Sequence, residues 1–126
     1  MIAARWRPAM LWAVLIEALM LWPNPPSVPQ GWNFVWLDSI APDKLVHAGL
    51  FAVMCFLIVR ALAVEARPKL VAFVATAAFG ACTEFQQHFV PTRSMEFGDI
   101  LADAAGSAIG LAIFAAWALR RREFNR

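Results

Sequence analysis

Residues 70–88, LVAFVATAAFGACTEFQQH, decide the fold. From Leu70 to Cys82 the run is apolar on every face of a helix apart from Thr76. A barrel strand alternates apolar and polar residues with period two, so a membrane β-barrel is not expected. The run then turns polar at Thr83-Glu84-Phe85-Gln86-Gln87-His88. Glu84, Gln87 and His88 stand at i, i+3 and i+4 and form one polar helix face. A span ending at Val90 leaves Glu84 roughly 9 Å inside its end, at about 1.5 Å per residue. A carboxylate at that depth must be paired, protonated or set against a wet cavity.

Three further apolar segments surround this one. The chain of 126 residues is 61% hydrophobic and 16% charged, with mean hydropathy +0.60. Soluble domains are about 45–50% apolar. So short and apolar a chain cannot cover a water-soluble core with polar surface, and the expected class is an all-α integral membrane bundle. Spans are expected at residues 8–22, 44–64, 68–90 and 99–119, each near the ~20 residues that cross the hydrocarbon, within one domain over residues 1–126. Pro8 suits a first helical turn, and Pro23-Asn24-Pro25-Pro26 stops the first helix. Arg5 and Arg7 ahead of the first run resemble a secretion signal. The bulky Met20-Leu21-Trp22-Pro23 at its end lacks the small residues of a cleavage site, so an uncleaved anchor is expected. Cys55 and Cys82 sit mid-segment and read as two buried small hydrophobes.

The ionisable residues are sorted by membrane side. Arg5, Arg7, Arg60, Arg67, Lys69, Arg120, Arg121, Arg122 and Arg126 fall at one end of the segments, with Glu65 and Glu123. Lys44 and Arg93 fall at the other, with Glu17, Asp38, Asp43, Glu84, Glu96, Asp99 and Asp103. Basic residues mark the cytoplasmic side. The N- and C-termini are therefore expected to be cytoplasmic, in a bacterial cytoplasmic (inner) membrane, with the acids at the outer end. The basic residues map to a lipid rim, and no nucleic-acid partner is expected. Trp6, Trp22 and Trp117 lie near span boundaries, where indole rings favour the interface.

Hairpin connections bring the acidic ends together. Asp43 and His47 are i, i+4 at the start of the second span, and Asp43 after Pro42 also has the position of an N-cap. Asp99 after Gly98 reads likewise, with Asp103 one turn deeper and harder to explain as a cap. Gly106 and Gly110 continue that stripe as a Gly-x-x-x-Gly motif, a signature of close helix contact. Arg93, in the loop between, is placed to pair with Glu84 or Asp99, or to bind a phosphate or carboxylate. Glu17 either joins the cluster or bonds a neighbouring helix.

The ordered set Asp43-Lys44-x-x-His47, Glu84-x-x-Gln87, Arg93, Asp99 and Gly106-x-x-x-Gly110 resembles the VanZ-like family over residues 43–117. Asp103 departs from it, standing where the family commonly carries Asn. The resemblance implies a small helical membrane bundle. It also implies a link to glycopeptide (teicoplanin-type) tolerance, the association of the family's founding member; shared fold and motif alone do not transfer that role.

Two functions are expected. In the first, the outward-facing site binds or acts on an envelope lipid or lipid-linked glycan. Glu84, Asp99 and His47 are then candidate acid–base residues, and Asp43, Lys44, Gln87, Arg93 and Asp103 candidate ligand-binding ones. In the second, the polar residues form a structural network in a non-catalytic binding or interaction protein. An ion-coupled carrier is disfavoured, because the inner ends of the spans show only snorkelling bases and no second acidic relay. No resident cofactor or metal is expected, since no compact motif such as His-x-x-x-His is present. A divalent cation among Asp43, His47, Glu84, His88, Asp99 and Asp103 is the alternative.

Overall fold

A computed structural model describes residues 2–23, 42–62 and 67–124. Four helices follow in order: α1 (Ile2–Met20), α2 (Pro42–Ala61), α3 (Pro68–Gln87) and α4 (Phe97–Phe124). Asp38, Glu65, the end of the second span at Val64, Arg126 and the helix-stopping Asn24-Pro25-Pro26 lie outside the described residues. The start of α2 meets the end of α3 and the start of α4, and the end of α1 meets the end of α3. Successive helices therefore run up, down, up and down. α2 touches all three others, and α1 and α4 flank it without meeting.

The bounds differ from expectation where a local signal was read too literally. α1 begins six residues before Pro8, which lies inside the helix. Pro8 has no N–H to bond the preceding turn and its ring crowds the carbonyl four residues back, yet the turn before it is helical, with Trp6 and Ala9 packed on the core. Asp43 and Asp99 are in the first turns of α2 and α4, not at their caps. There their charges still face the positive ends of the helix dipoles. α3 ends at Gln87, three residues early, and α4 runs on through the arginines to Phe124. Cys55 is buried as expected, but Cys82 is exposed. The inward face of α3 carries Thr76, Gly80, Thr83, Glu84 and Gln87, and Cys82 points away from it.

Length and composition qualify two helices as membrane spans, α2 over Asp43–Ala61 and α4 over Phe97–Phe124. α1 carries Arg5, Arg7 and Glu17, and α3 ends in Glu84-Phe85-Gln86-Gln87. Those residues dilute otherwise apolar stretches.

The seam between α2 and α4 is the tightest in the molecule. A Cβ added at Gly106 would collide with the backbone of Ala48, and one at Gly110 with the backbone of Ala52. The two helices run parallel here, with small residues four apart on both, so their backbones nearly touch. Phe51, Met54, Cys55, Ile58 and Val59 of α2 fill the core with Ile16 and Met20 of α1. The Trp12 indole donates to the Leu50 carbonyl at 2.9 Å, fastening α1 to α2. At the basic end, Phe56, Phe114 and Trp117 pack edge to face or tilted, and the Arg121 guanidinium lies 4.7 Å over the Trp117 ring.

Gly106→Ala is expected to destabilise the bundle by about 1–3 kcal/mol, the usual cost of overpacking. Gly49, whose added Cβ would meet nothing within 4 Å, is the control. Thermal melts in detergent should show a clear drop for Gly106→Ala and little change for Gly49→Ala.

Candidate functional site

The parallel seam sets a register between the starts of α2 and α4. Lys44 falls opposite Asp99, His47 opposite Asp103, Ala48 opposite Gly106 and Ala52 opposite Gly110. α3 arrives antiparallel and delivers Glu84 to the same level. Two polar layers result.

The inner layer is His47, Glu84 and Asp103, all buried, with Glu84 at 0% exposure. His47 Nδ1 lies 2.9 Å from Asp103 Oδ1 and 3.7 Å from Glu84 Oε1. With Asp103 ionised, the imidazole carries its proton on Nδ1 and donates it to that oxygen. Glu84 Oε2 accepts the backbone N–H of Glu96 at 3.3 Å. Glu84 Oε1 and Asp103 Oδ2 are buried without a hydrogen-bond partner among the described residues. Burying an ionised carboxylate costs several kcal/mol unless it is paired, and one imidazole stands between two of them.

The outer layer is built around Lys44. Its ammonium lies 2.9 Å from Asp99 Oδ1, 3.1 Å from Glu96 Oε2 and 3.7 Å from Asp43 Oδ2. The Lys44 stem runs over Gly98, where an added Cβ would sit 2.9 Å from Cε. Asp99 is buried, while Asp43 and Glu96 are exposed, so this layer forms the rim of the site.

A third group holds α1 in place. α1 has no basic residue in its last turn, and its final carbonyls lack intrahelical partners. Gln87 Nε2 donates to the Met20 carbonyl at 3.0 Å. Arg93 donates through Nε to Trp22 and through Nη2 to Leu19, both at 3.2 Å. The Thr92 hydroxyl donates to the Pro23 carbonyl. A cation at a helix C-terminus also meets the negative end of its dipole. One turn back, the Thr83 hydroxyl has Glu17 Oε1 at 3.2 Å and the Phe79 carbonyl at 3.0 Å, and its single proton serves one of them at a time.

A family model described as VanZ/LLP1 matches residues 8–119. The chain belongs to the VanZ/LLP1 family. The match takes in α2, α3 and most of α1 and α4, and so includes every side chain of both polar layers. No curated protein and no solved structure matches the chain.

Within this VanZ/LLP1 chain, His47, Glu84 and Asp103 meet directly, and Lys44 meets Asp99. Asp43 shares a helix with His47 but stays at the rim. Arg93 contacts neither Glu84 nor Asp99. Its guanidinium is drawn instead to the free carbonyls of α1, which the loop after α3 overlies. Gln87 does the same. His88 is exposed, its ring edge-on to Phe89 at 5.4 Å between centroids, and it lies outside the cluster. Glu17 bonds the neighbouring helix through Thr83.

Two residues of the site escaped sequence reasoning. The sequence marks Glu96 only as an outer-side charge, yet its carboxylate binds Lys44 and its N–H binds Glu84. Nothing in a loop sequence announces such a fold-back. Gly80 was readable: it follows Thr76 and precedes Glu84 by one turn each, on the same face. A Cβ there would lie 2.7 Å from Asp103 Oδ2.

Arg93→Ala removes a charged hydrogen bond to Leu19 of α1 and an exposed one to Trp22 just past its end; a charged hydrogen bond is worth about 1.5–3 kcal/mol. Hydrogen–deuterium exchange at the α1 C-terminus, Glu17 to Leu21, is expected to rise at least about tenfold by that figure, with the α2–α4 seam unchanged. Equal exchange in both proteins would contradict the clasp.

Proposed function

We propose that the chain is a four-span protein of a bacterial cytoplasmic membrane, with both termini on the cytoplasmic side, that binds or acts on an envelope lipid or lipid-linked glycan at its outer end. One observation carries the reading: polar and ionisable side chains share the buried interior with the apolar core, while large apolar side chains face outward on every helix. His47, Thr76, Thr83, Glu84, Gln87, Asp99, Asp103 and Ser107 are buried. Large apolar side chains cover the outside of every helix, among them Leu11 and Val14 of α1, Val46 and Val53 of α2, Val71 and Val74 of α3, and Ile109 and Ile113 of α4. Lipid tolerates that surface, and water does not. It supports four spans even though α1 and α3 are diluted by charge. The basic residues at one end and the acidic layers at the other support the orientation.

Glu84 and Asp103, with His47 between them, are the acid–base candidates of the outer site, because each carboxylate keeps one oxygen uncommitted. Asp99 positions Lys44. A shallow groove of about 580 Å³ on α1, lined by Val14, Glu17, Ala18, Leu21, Trp22 and Pro23, provides an apolar bed beside the Glu17–Thr83 contact. That apolar surface supports seating an acyl or polyprenyl chain from the outer leaflet there, with its headgroup at the rim. A contribution to glycopeptide (teicoplanin-type) tolerance belongs to the same reading, as a consequence of handling an envelope lipid.

The second reading has a specific observation in its favour. Lys44, Gln87 and Arg93, three of the five groups expected to hold a ligand, are all engaged by partners within the chain. A non-catalytic protein with a structural polar network has this property.

Glu84→Gln separates the two, because it keeps shape and hydrogen bonding but removes acid–base capacity. Native mass spectrometry of protein extracted from its own envelope is the readout, with a thermal melt as the folding control. The outer-site reading expects a co-extracted envelope lipid whose retention or processing changes by at least about tenfold in a folded Glu84→Gln protein. Identical lipid profiles would favour the network.

A further inference from the structure

We propose that His47, Glu84 and Asp103 form a binding site for one first-row divalent cation of the Zn²⁺ type. The two polar layers differ in one respect. The outer cluster of Asp43, Glu96 and Asp99 already has its cation, the Lys44 ammonium, within 2.9–3.7 Å of all three carboxylates. The inner cluster has two fully buried carboxylates. Among the described residues, no lysine or arginine comes within ion-pair distance of either, and a single imidazole is their only partner of opposite charge.

The donor atoms are disposed as ligands. One donor from each residue lies within 4.8 Å of the other two. The edges from His47 Nδ1 are 2.9 Å to Asp103 Oδ1 and 3.7 Å to Glu84 Oε1. Bonds of about 2.1 Å to a central ion give ligand–ligand edges of roughly 3.0 Å in an octahedron and 3.4 Å in a tetrahedron. The observed pair brackets both. That same Glu84 Oε1 and one further oxygen, Asp103 Oδ2, are buried without a hydrogen-bond partner among the described residues, and buried polar atoms left unmatched call for an explanation. A divalent charge neutralises both carboxylates at once.

The surroundings fix each ligand. Glu84 is held through Oε2 by the Glu96 N–H, leaving Oε1 for the ion. The bare Cα of Gly80 leaves the space that Asp103 Oδ2 occupies. One imidazole and two carboxylates suit Zn²⁺ and its first-row neighbours better than Ca²⁺ or Mg²⁺, which prefer all-oxygen shells. Three protein ligands leave one position free for a water or a phosphate oxygen. The proposal deepens the outer-site reading, since it rests on the same residues, and it names the class of ligand that the buried layer holds.

The test uses full-length protein in detergent, purified without chelator. Elemental mass spectrometry should find about one ion per chain, and after chelator treatment calorimetry should show one saturable Zn²⁺ site. His47→Gln and Asp103→Asn should weaken Zn²⁺ by at least about 100-fold, more than loss of a supporting hydrogen bond does. His88→Ala, remote from the cluster, should bind as the native protein does. Zn²⁺ should raise the melting temperature of the native protein and not that of Asp103→Asn. If a variant fails to fold, the stoichiometry and thermal shift of the native protein decide alone. Absence of saturable Zn²⁺ binding, unchanged binding in both ligand variants, or loss of binding in His88→Ala would each overturn the proposal. Zn²⁺ bound with no lipid retained would leave it standing and sink only the lipid reading; lipid retained without Zn²⁺ would do the reverse.

Discussion

The backbone contact of α2 with α4 is the constraint on which the rest depends. Gly106 over Ala48 and Gly110 over Ala52 let two parallel helices approach until no side chain separates them. That closeness fixes the register one turn further out, where His47 reaches Asp103 and Lys44 reaches Asp99. With larger residues at the glycines the helices would separate, and short side chains such as Asp103 would no longer bridge the gap. Packing in the apolar half thus sets the geometry of the polar half.

The polar half is unusual in where its charge lies. A membrane bundle gains little from burying apolar surface between helices, because lipid is equally apolar, so van der Waals fit and polar bonds hold it together. Here Trp12 ties α1 to α2, Gln87 and Arg93 tie the end of α3 and its loop to α1, and Lys44 ties α2 to α4. Each of these has its partner. The His47–Glu84–Asp103 layer is the exception, with more negative charge than its one imidazole balances. Two buried carboxylates share that one imidazole, and each keeps an oxygen without a hydrogen-bond partner among the described residues.

Much of this was legible in the sequence. The apolar stretch after Leu70, the polar turn at Glu84 and the glycine pair after Asp103 gave four helices and brought the polar ends together. His47, Glu84, Asp99 and Asp103 were each placed on the correct faces by helical spacing. Spacing within one helix carries no information on partners across helices, which is why Arg93 was paired with acids rather than with carbonyls of α1. Those carbonyls belong to no particular side chain and leave no mark in a sequence. Glu96 escaped for the same reason: its backbone N–H is the group that binds Glu84. Pro8 misled because a proline is a weak boundary when the residues before it, such as Trp6, can still pack. α1 and α3 read as spans from their apolar faces, but Arg5, Arg7 and Glu17 in α1 and Glu84, Gln86 and Gln87 in α3 leave α2 and α4 as the two described helices long and apolar enough to cross a membrane.

The seam presses His47 against Asp103 in a buried site. A double-mutant cycle with His47→Gln, Asp103→Asn and the pair, measured by unfolding in mixed micelles, tests it most directly. Residues in direct buried contact are expected to show a coupling energy of about 0.5–3 kcal/mol. Single effects that add within about 0.3–0.5 kcal/mol would mean that the two side chains do not meet, and the account would fail with them.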